Sequence, residues 1–195
     1  RVVIAVLATA SWAGPAGAAT WVVGDGQPFA SIQAALQQAS GGDVVLVLPG
    51  FYYERLELRD GVALAAQVPG TVVVDAEAAG TAVTAVGVGS STTVSGLVFR
   101  HGSARSGGGL RGVAASPVFT NCTFEGNTAV LGGGAYLRDG SRADFVGCRF
   151  TGNTAEVGGG LYLDFSAAEL ASCTIDGNAA GDGSALVAAN AAEAT

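Results

Sequence analysis

Phe119-Thr120-Asn121-Cys122-Thr123-Phe124-Glu125-Gly126-Asn127-Thr128-Ala129 returns as Phe145-Val146-Gly147-Cys148-Arg149-Phe150-Thr151-Gly152-Asn153-Thr154-Ala155. It returns again, decayed, as Leu170-Ala171-Ser172-Cys173-Thr174-Ile175-Asp176-Gly177-Asn178-Ala179-Ala180. The cysteines Cys122, Cys148 and Cys173 and the asparagines Asn127, Asn153 and Asn178 keep one spacing between them. A fixed period in this range is the signature of a stacked solenoid. A leucine-rich repeat has a similar period but needs an L-x-x-L-x-L frame, which is absent here.

With short strands between glycine turns, a period of about 25 residues fits one coil of a parallel β-helix. Each coil pairs with the next at about 4.8 Å, so residues one period apart lie over one another. The expected fold is all-β: a single-stranded right-handed parallel β-helix. Residues 43–195 supply about six coils, a stack roughly 30 Å tall.

The columns then acquire roles. Cys122, Cys148 and Cys173 form one inward column, and Phe124, Phe150 and Ile175, two residues on, share that face. Asn127, Asn153 and Asn178 form an asparagine ladder. Each follows a glycine, as a sharp turn with positive φ requires. Gly132-Gly133-Gly134 and Gly158-Gly159-Gly160 mark a second corner, after which Leu137 and Leu163 re-enter the core. The cysteines are expected to be free thiols packing as small apolar groups, because parallel Cβ vectors are unsuited to bridging.

Upstream, Ile32, Ala35, Leu36 and Ala39 fall at i, i+3, i+4 and i+7, predicting a helix over 31–39 with Ser31 as N-cap and Gly41-Gly42 as stop. Residues 20–42 are read as a strand and a helix that caps the open end of the stack. Arg1, the apolar run 2–8 and the small residues through Ala19 make residues 1–19 a signal peptide, which implies export to the cell envelope or exterior. No stretch is long and apolar enough to span a bilayer. The faint last repeat and the featureless 190–195 suggest truncation at the C-terminus.

Composition narrows the partners. The chain has 31 glycines, 49% hydrophobic and 13% charged residues, and a net charge of −7. Glycine without a three-residue period excludes collagen. Nine basic residues and a negative balance argue against nucleic acid. Cations, neutral glycans and protein surfaces remain open, with polysaccharide or cell-surface glycan as the expected partner.

The elements Phe124-Glu125-Gly126-Asn127 and Gly133-Gly134-Ala135-Tyr136, with their repeats at 150–153 and 159–162, resemble the F-x-x-N and G-G-A-[IY] units of polymorphic outer membrane proteins. The chain thereby resembles right-handed β-helix proteins of the pectin-lyase-like superfamily. Asp25 to Ala35 and Val47 to Tyr52 also resemble the entry segment of pectinesterases. Over 94–118 the match is looser, with His101 in the asparagine place. The resemblance implies the fold; the superfamily hosts lyases, hydrolases, esterases, adhesins and inert passengers alike.

Reactive groups are sparse. A calcium-dependent lyase needs six to eight oxygen ligands. The acidic columns are thin: Glu125 and Asp176 are separated by Thr151, and Asp144 and Glu169 stand two deep. Arg138 over Asp164 reads as a cross-coil ion pair. The pectinesterase motifs are absent, and Asp75 with Glu77 reads as a turn. No motif selects Asp139, Asp144 or Asp164 for glycosidase chemistry, but they are the candidates. One histidine cannot build a zinc site, and Gly107-Gly108-Gly109 lacks the lysine of a phosphate loop. The sequon at Asn121-Cys122-Thr123 is read as chance.

The sequence therefore predicts a secreted or cell-surface β-helix with a structural, adhesive or glycan-binding role, without catalysis or cofactor. The alternative is an exported carbohydrate-active enzyme, a pectate lyase relative or glycoside hydrolase, whose site lies partly outside this sequence; only there does calcium enter. A weaker alternative is a passenger whose membrane barrel lies beyond Thr195.

Overall fold

The computed structural model describes residues 17–183, 185–190 and the backbone of 193–194. Most of the expected signal peptide, residues 1–16, lies outside the described residues. The described residues form a right-handed parallel β-helix of about seven turns with one short helix among them. Every strand pairing is parallel, and each strand pairs with its equivalent one turn away.

Four sheets run up the prism. The longest begins at Thr20–Val23 and climbs through Val44–Val47, Ala63–Ala66, Thr93–Ser95, Val118–Thr120, Arg142–Val146 and Ala167–Ala171 to Glu193–Ala194. A second runs from Gly50–Tyr52 through Val72–Asp75, Leu97–Arg100, Thr123–Glu125 and Arg149–Thr151 to Thr174–Asp176. The third is short, from Ser103–Ser106 to Ala179–Asp182, and the fourth runs from Leu56–Glu57 to Leu186–Ala189. The strand Thr20–Val23 pairs in register with Val44–Val47, so the first turn already contains the helix.

One vertical column of the longest sheet reads Thr20, Val44, Ala63, Thr93, Val118, Asp144 and Glu169. The step from one turn to the next is uneven up to Thr93 and nearly constant above it. The regular spacing belongs to the upper turns, where the repeat was legible.

The interior is a pair of stacked aromatic columns. Phe99, Phe124 and Phe150 stack with centroids 5.3 and 4.9 Å apart, and Phe119 stacks on Phe145 at 5.4 Å. The columns meet edge-to-face, Phe119 on Phe124 at 5.6 Å and Phe145 on Phe150 at 5.2 Å. All five rings are fully buried. Stacked and edge-to-face pairs add about 0.5–1.5 kcal/mol beyond the area they bury.

A residue in the left-handed region turns the chain at each corner of the upper coils, joined at Asp139 by a second, Gly140. The four columns are Gly96, Asn121, Gly147, Ser172; His101, Gly126, Gly152, Gly177; Gly107, Gly132, Gly158, Gly183; and Gly87, Ala114, Asp139, Phe165, Asn190. Their φ values lie between 47° and 76°. A left-handed residue redirects the strand without breaking the vertical ladder, and glycine or asparagine adopts it at least cost.

The glycine triplets have a second cause. A Cβ on Gly134 would lie 2.5 Å from the carbonyl oxygen of Gly160, so the backbones of successive turns touch at this corner.

The helix spans Ile32–Gln38. Its apolar face, Ile32, Ala35 and Leu36 with Ala39 at the C-cap, is buried against the first turns. The Ser31 hydroxyl accepts from Ala34 N at 3.2 Å. Glu54, from the next turn, closes the same end: its Oε1 accepts from Ile32 N, and its Oε2 from Gln33 N and the Ser31 hydroxyl, at 2.8–2.9 Å. A carboxylate here satisfies backbone donors that the helix leaves open.

Candidate functional site

The asparagine column is a continuous hydrogen-bond chain. Asn127 donates through N and Nδ2 to Asn153 Oδ1, and Asn153 does the same to Asn178 Oδ1. The Nδ2 groups of Asn127, Asn153 and Asn178 also donate to the carbonyls of Phe99, Phe124 and Phe150. Below Asn127 the chain ends at Gly102, whose N–H donates to Asn127 Oδ1 at 2.8 Å. Gly102 therefore holds the asparagine place. His101 does not: it stands under Gly126 with φ 52°, one residue earlier than expected.

Cys122, Cys148 and Cys173 are free and stacked, Cys122 and Cys148 fully buried and Cys173 half-buried. Their thiols donate to the carbonyls of Val94, Phe119 and Phe145. Burial pushes the Cys122 thiol well above its ordinary pKa, so it is an inert packing group.

The three aspartates singled out by sequence do not converge. Asp139 is the left-handed corner residue of its turn and is exposed, with Arg138 Nε 3.2 Å from its Oδ2. Asp164, over Arg138 in register, does not pair with it. It accepts instead from the Tyr136 hydroxyl at 3.3 Å and from Asn190 Nδ2. The expected Arg138–Asp164 pair gives way because the guanidinium turns along its own chain to the adjacent carboxylate. Asp144 projects from the longest sheet, another face of the prism, under Glu169.

The structure gathers a different group on the outer face of the second sheet. Asp75 lies directly below Arg100 in register. Its Oδ2 accepts from Arg100 Nε at 2.9 Å and lies 3.0 Å from His101 Nδ1, while Oδ1 accepts from Glu77 N at 3.0 Å. Asp75 is only 5% exposed. Burial raises its pKa, but the Glu77 N–H, His101 and Arg100 outweigh it and hold the carboxyl below its ordinary value. The turn expected at Asp75 and Glu77 is present, and it carries this cluster.

The Arg100 guanidinium also sits 5.2 Å from the centroid of Phe51, two turns below. Phe51 and Tyr53 are 59% and 64% exposed. Both line a cleft of about 420 Å³ with Asp25, Pro49, Tyr52 and Glu54. Rings left open beside fixed hydrogen-bonding groups make a site able to stack on a flat, partly apolar ligand and bond its polar edge. Sequence reasoning missed this group. The one signal was that Asp75 and Arg100 stand a single period apart.

Among the described residues, no cluster of three or more metal-ligating side chains occurs, and no helix is long and apolar enough to cross a membrane.

Residues 72–195 match the family described as "Right handed beta helix region". The chain belongs to the right-handed β-helix family. No curated protein matches this β-helix in sequence. Among solved structures it is similar to a pectin methylesterase variant in complex with a hexasaccharide, at 17% identity and a TM-score of 0.53, covering 81% of this chain and 56% of that one. It is similar to the same extent to the pectin methylesterase of Erwinia chrysanthemi. For the deglycosylated pectin methylesterase of Aspergillus niger the identity is 15% and the TM-score 0.52, over 87% of this chain and 61% of that one. The β-helix thus spans 56–61% of the length of these structures. At such identities the likeness shows the fold alone, the right-handed parallel β-helix that the repeats predicted.

Proposed function

We propose that this β-helix is a secreted or cell-surface protein that binds glycan, without turnover, on the outer face around Phe51, Arg100, Asp75 and His101. The observation that carries this reading is the open Phe51 ring under the Arg100 guanidinium at the edge of the cleft. Burying such a ring is worth roughly 1.5–3 kcal/mol, and a sugar's C–H face can cover it while its hydroxyls reach Arg100 and His101, which Asp75 holds in place. The surrounding strands are rigid, so little ordering cost opposes binding. The likeness to pectin methylesterases supports a carbohydrate-related role and no particular sugar. The export pattern in residues 1–19 supports a place outside the cytoplasm.

The test is calorimetric titration of the purified protein with a panel of neutral, acidic and amino oligosaccharides, alongside Phe51→Ala. Saturable binding to at least one class, weakened about tenfold or more in Phe51→Ala, is expected. Binding unaffected by the substitution, or none across the panel, overturns the reading. Release of new reducing ends, methanol or unsaturated products would favour the second reading, a carbohydrate-active enzyme. The buried Asp75 carboxylate against Arg100 is the observation on its side.

A further inference from the structure

The cleft beside Phe51 carries its own charge pattern. Its lining includes two carboxylates, Asp25 and Glu54, and no basic side chain. Glu54 is spent on the helix end, with three donors on its two oxygens. Asp25, on the exposed turn between Gly24 and Gly26, has no hydrogen bond or ion pair among the described residues. Of the arginines beside the cleft, Arg55, next in the chain to Glu54, donates to the Ala79 carbonyl, and Arg100, over Phe51, is turned to Asp75. Burial raises the pKa of the Tyr52 phenol, and the neighbouring Glu54 and Asp25 carboxylates raise it further.

A negative cleft edged by two open aromatic rings suits a cation. An ammonium gains from a carboxylate and from a ring face together, whereas a polyanion meets repulsion. The overall charge of −7 acts in the same direction at long range. From this arrangement, and resting on the glycan-binding reading above, we infer that the cleft takes an amino-bearing glycan, a chain of unacetylated hexosamine units, with an ammonium group against Asp25 and sugar faces on Phe51 and Tyr53. A polyuronate is excluded from the same cleft by Asp25 and Glu54.

The experiment compares three hexasaccharides by calorimetry at low salt: glucosamine, N-acetylglucosamine and galacturonate. The glucosamine hexamer is expected to bind about tenfold more tightly than its acetylated counterpart, with no binding of the galacturonate hexamer. Asp25→Asn should remove the preference for the free amine, so that the two hexosamine chains bind with equal affinity. Equal affinity for the two hexosamine chains, stronger binding of the galacturonate, or a preference that survives in Asp25→Asn overturns the inference and leaves glycan binding standing. No binding to any of the three overturns the inference, and the wider panel above decides separately whether glycan binding itself fails.

Discussion

Asn127 donates both its backbone N–H and its side-chain amide to one atom, Oδ1 of Asn153, at 3.0 Å each. Asn153 is fully buried, so that oxygen has no access to water. The side chain of one turn thereby closes the backbone of the turn below, and the buried polar groups of the corner are paired within the protein.

Replacing Asn153 with alanine leaves the Asn127 N–H and the Phe124 carbonyl without these partners, and the Asn127 amide with the Phe99 carbonyl alone. Each orphaned buried group costs about 1–3 kcal/mol, so the variant should lose about 3 kcal/mol or more in urea unfolding. Asn178→Ala, in a half-buried position, should lose less. Equal small losses would show that the ladder is ornamental.

Gly134→Ala places a methyl group 2.5 Å from the Gly160 carbonyl oxygen, where the contact is backbone and has no side chain to move aside. Overpacking of this kind costs about 3 kcal/mol. Gly140→Ala, where a Cβ meets nothing within 4 Å but φ is 75°, should lose only the left-handed strain, roughly 1–2 kcal/mol. Thermal melting of the pair separates close approach from turn conformation.

The Asp75 cluster predicts a pH dependence. Because its carboxyl is held below the ordinary value of 3.8, its contribution to stability is present above that value and fades as pH falls through the lower native pKa. The stability gap between the wild type and Asp75→Asn should be widest near neutrality and shrink on acidification below 3.8. A gap that grows on acidification would contradict the ion pairing with Arg100.

Glu54→Ala removes the acceptor for Ile32 N, Gln33 N and the Ser31 hydroxyl. Loss of a cap costs about 1 kcal/mol. The effect should appear as faster amide exchange at Ile32 and Gln33, with Glu54→Gln intermediate because an amide oxygen still accepts. Unchanged exchange in Glu54→Ala would show that Ser31 alone caps the helix.

The fold was legible where the period is constant. From Phe119 to Ala180 cysteine, phenylalanine and asparagine recur at one offset, because each column has one environment to satisfy. The lower turns, with uneven steps from Thr20 to Val44, Ala63 and Thr93 and with Val74 in the phenylalanine column, kept the architecture but not the pattern. The sequence puts His101 in the asparagine place because a histidine in a left-handed corner hides the glycine that marks the register. The Asp75, Arg100 and Phe51 group was not legible, since no other turn repeats it. Repetition marks columns, and a ligand site breaks repetition.

Stacking follows from the order of residues alone: small and aromatic side chains at a constant offset have no other way to bury one face, and glycines set where the chain bends. Which charges meet was decided only by the folded coils. Asp75, Arg100 and Phe51 lie in three successive turns, and their contact depends on coil lengths that vary from turn to turn. Vertical neighbours are set by register, and a one-residue change in register moves a side chain to a different face.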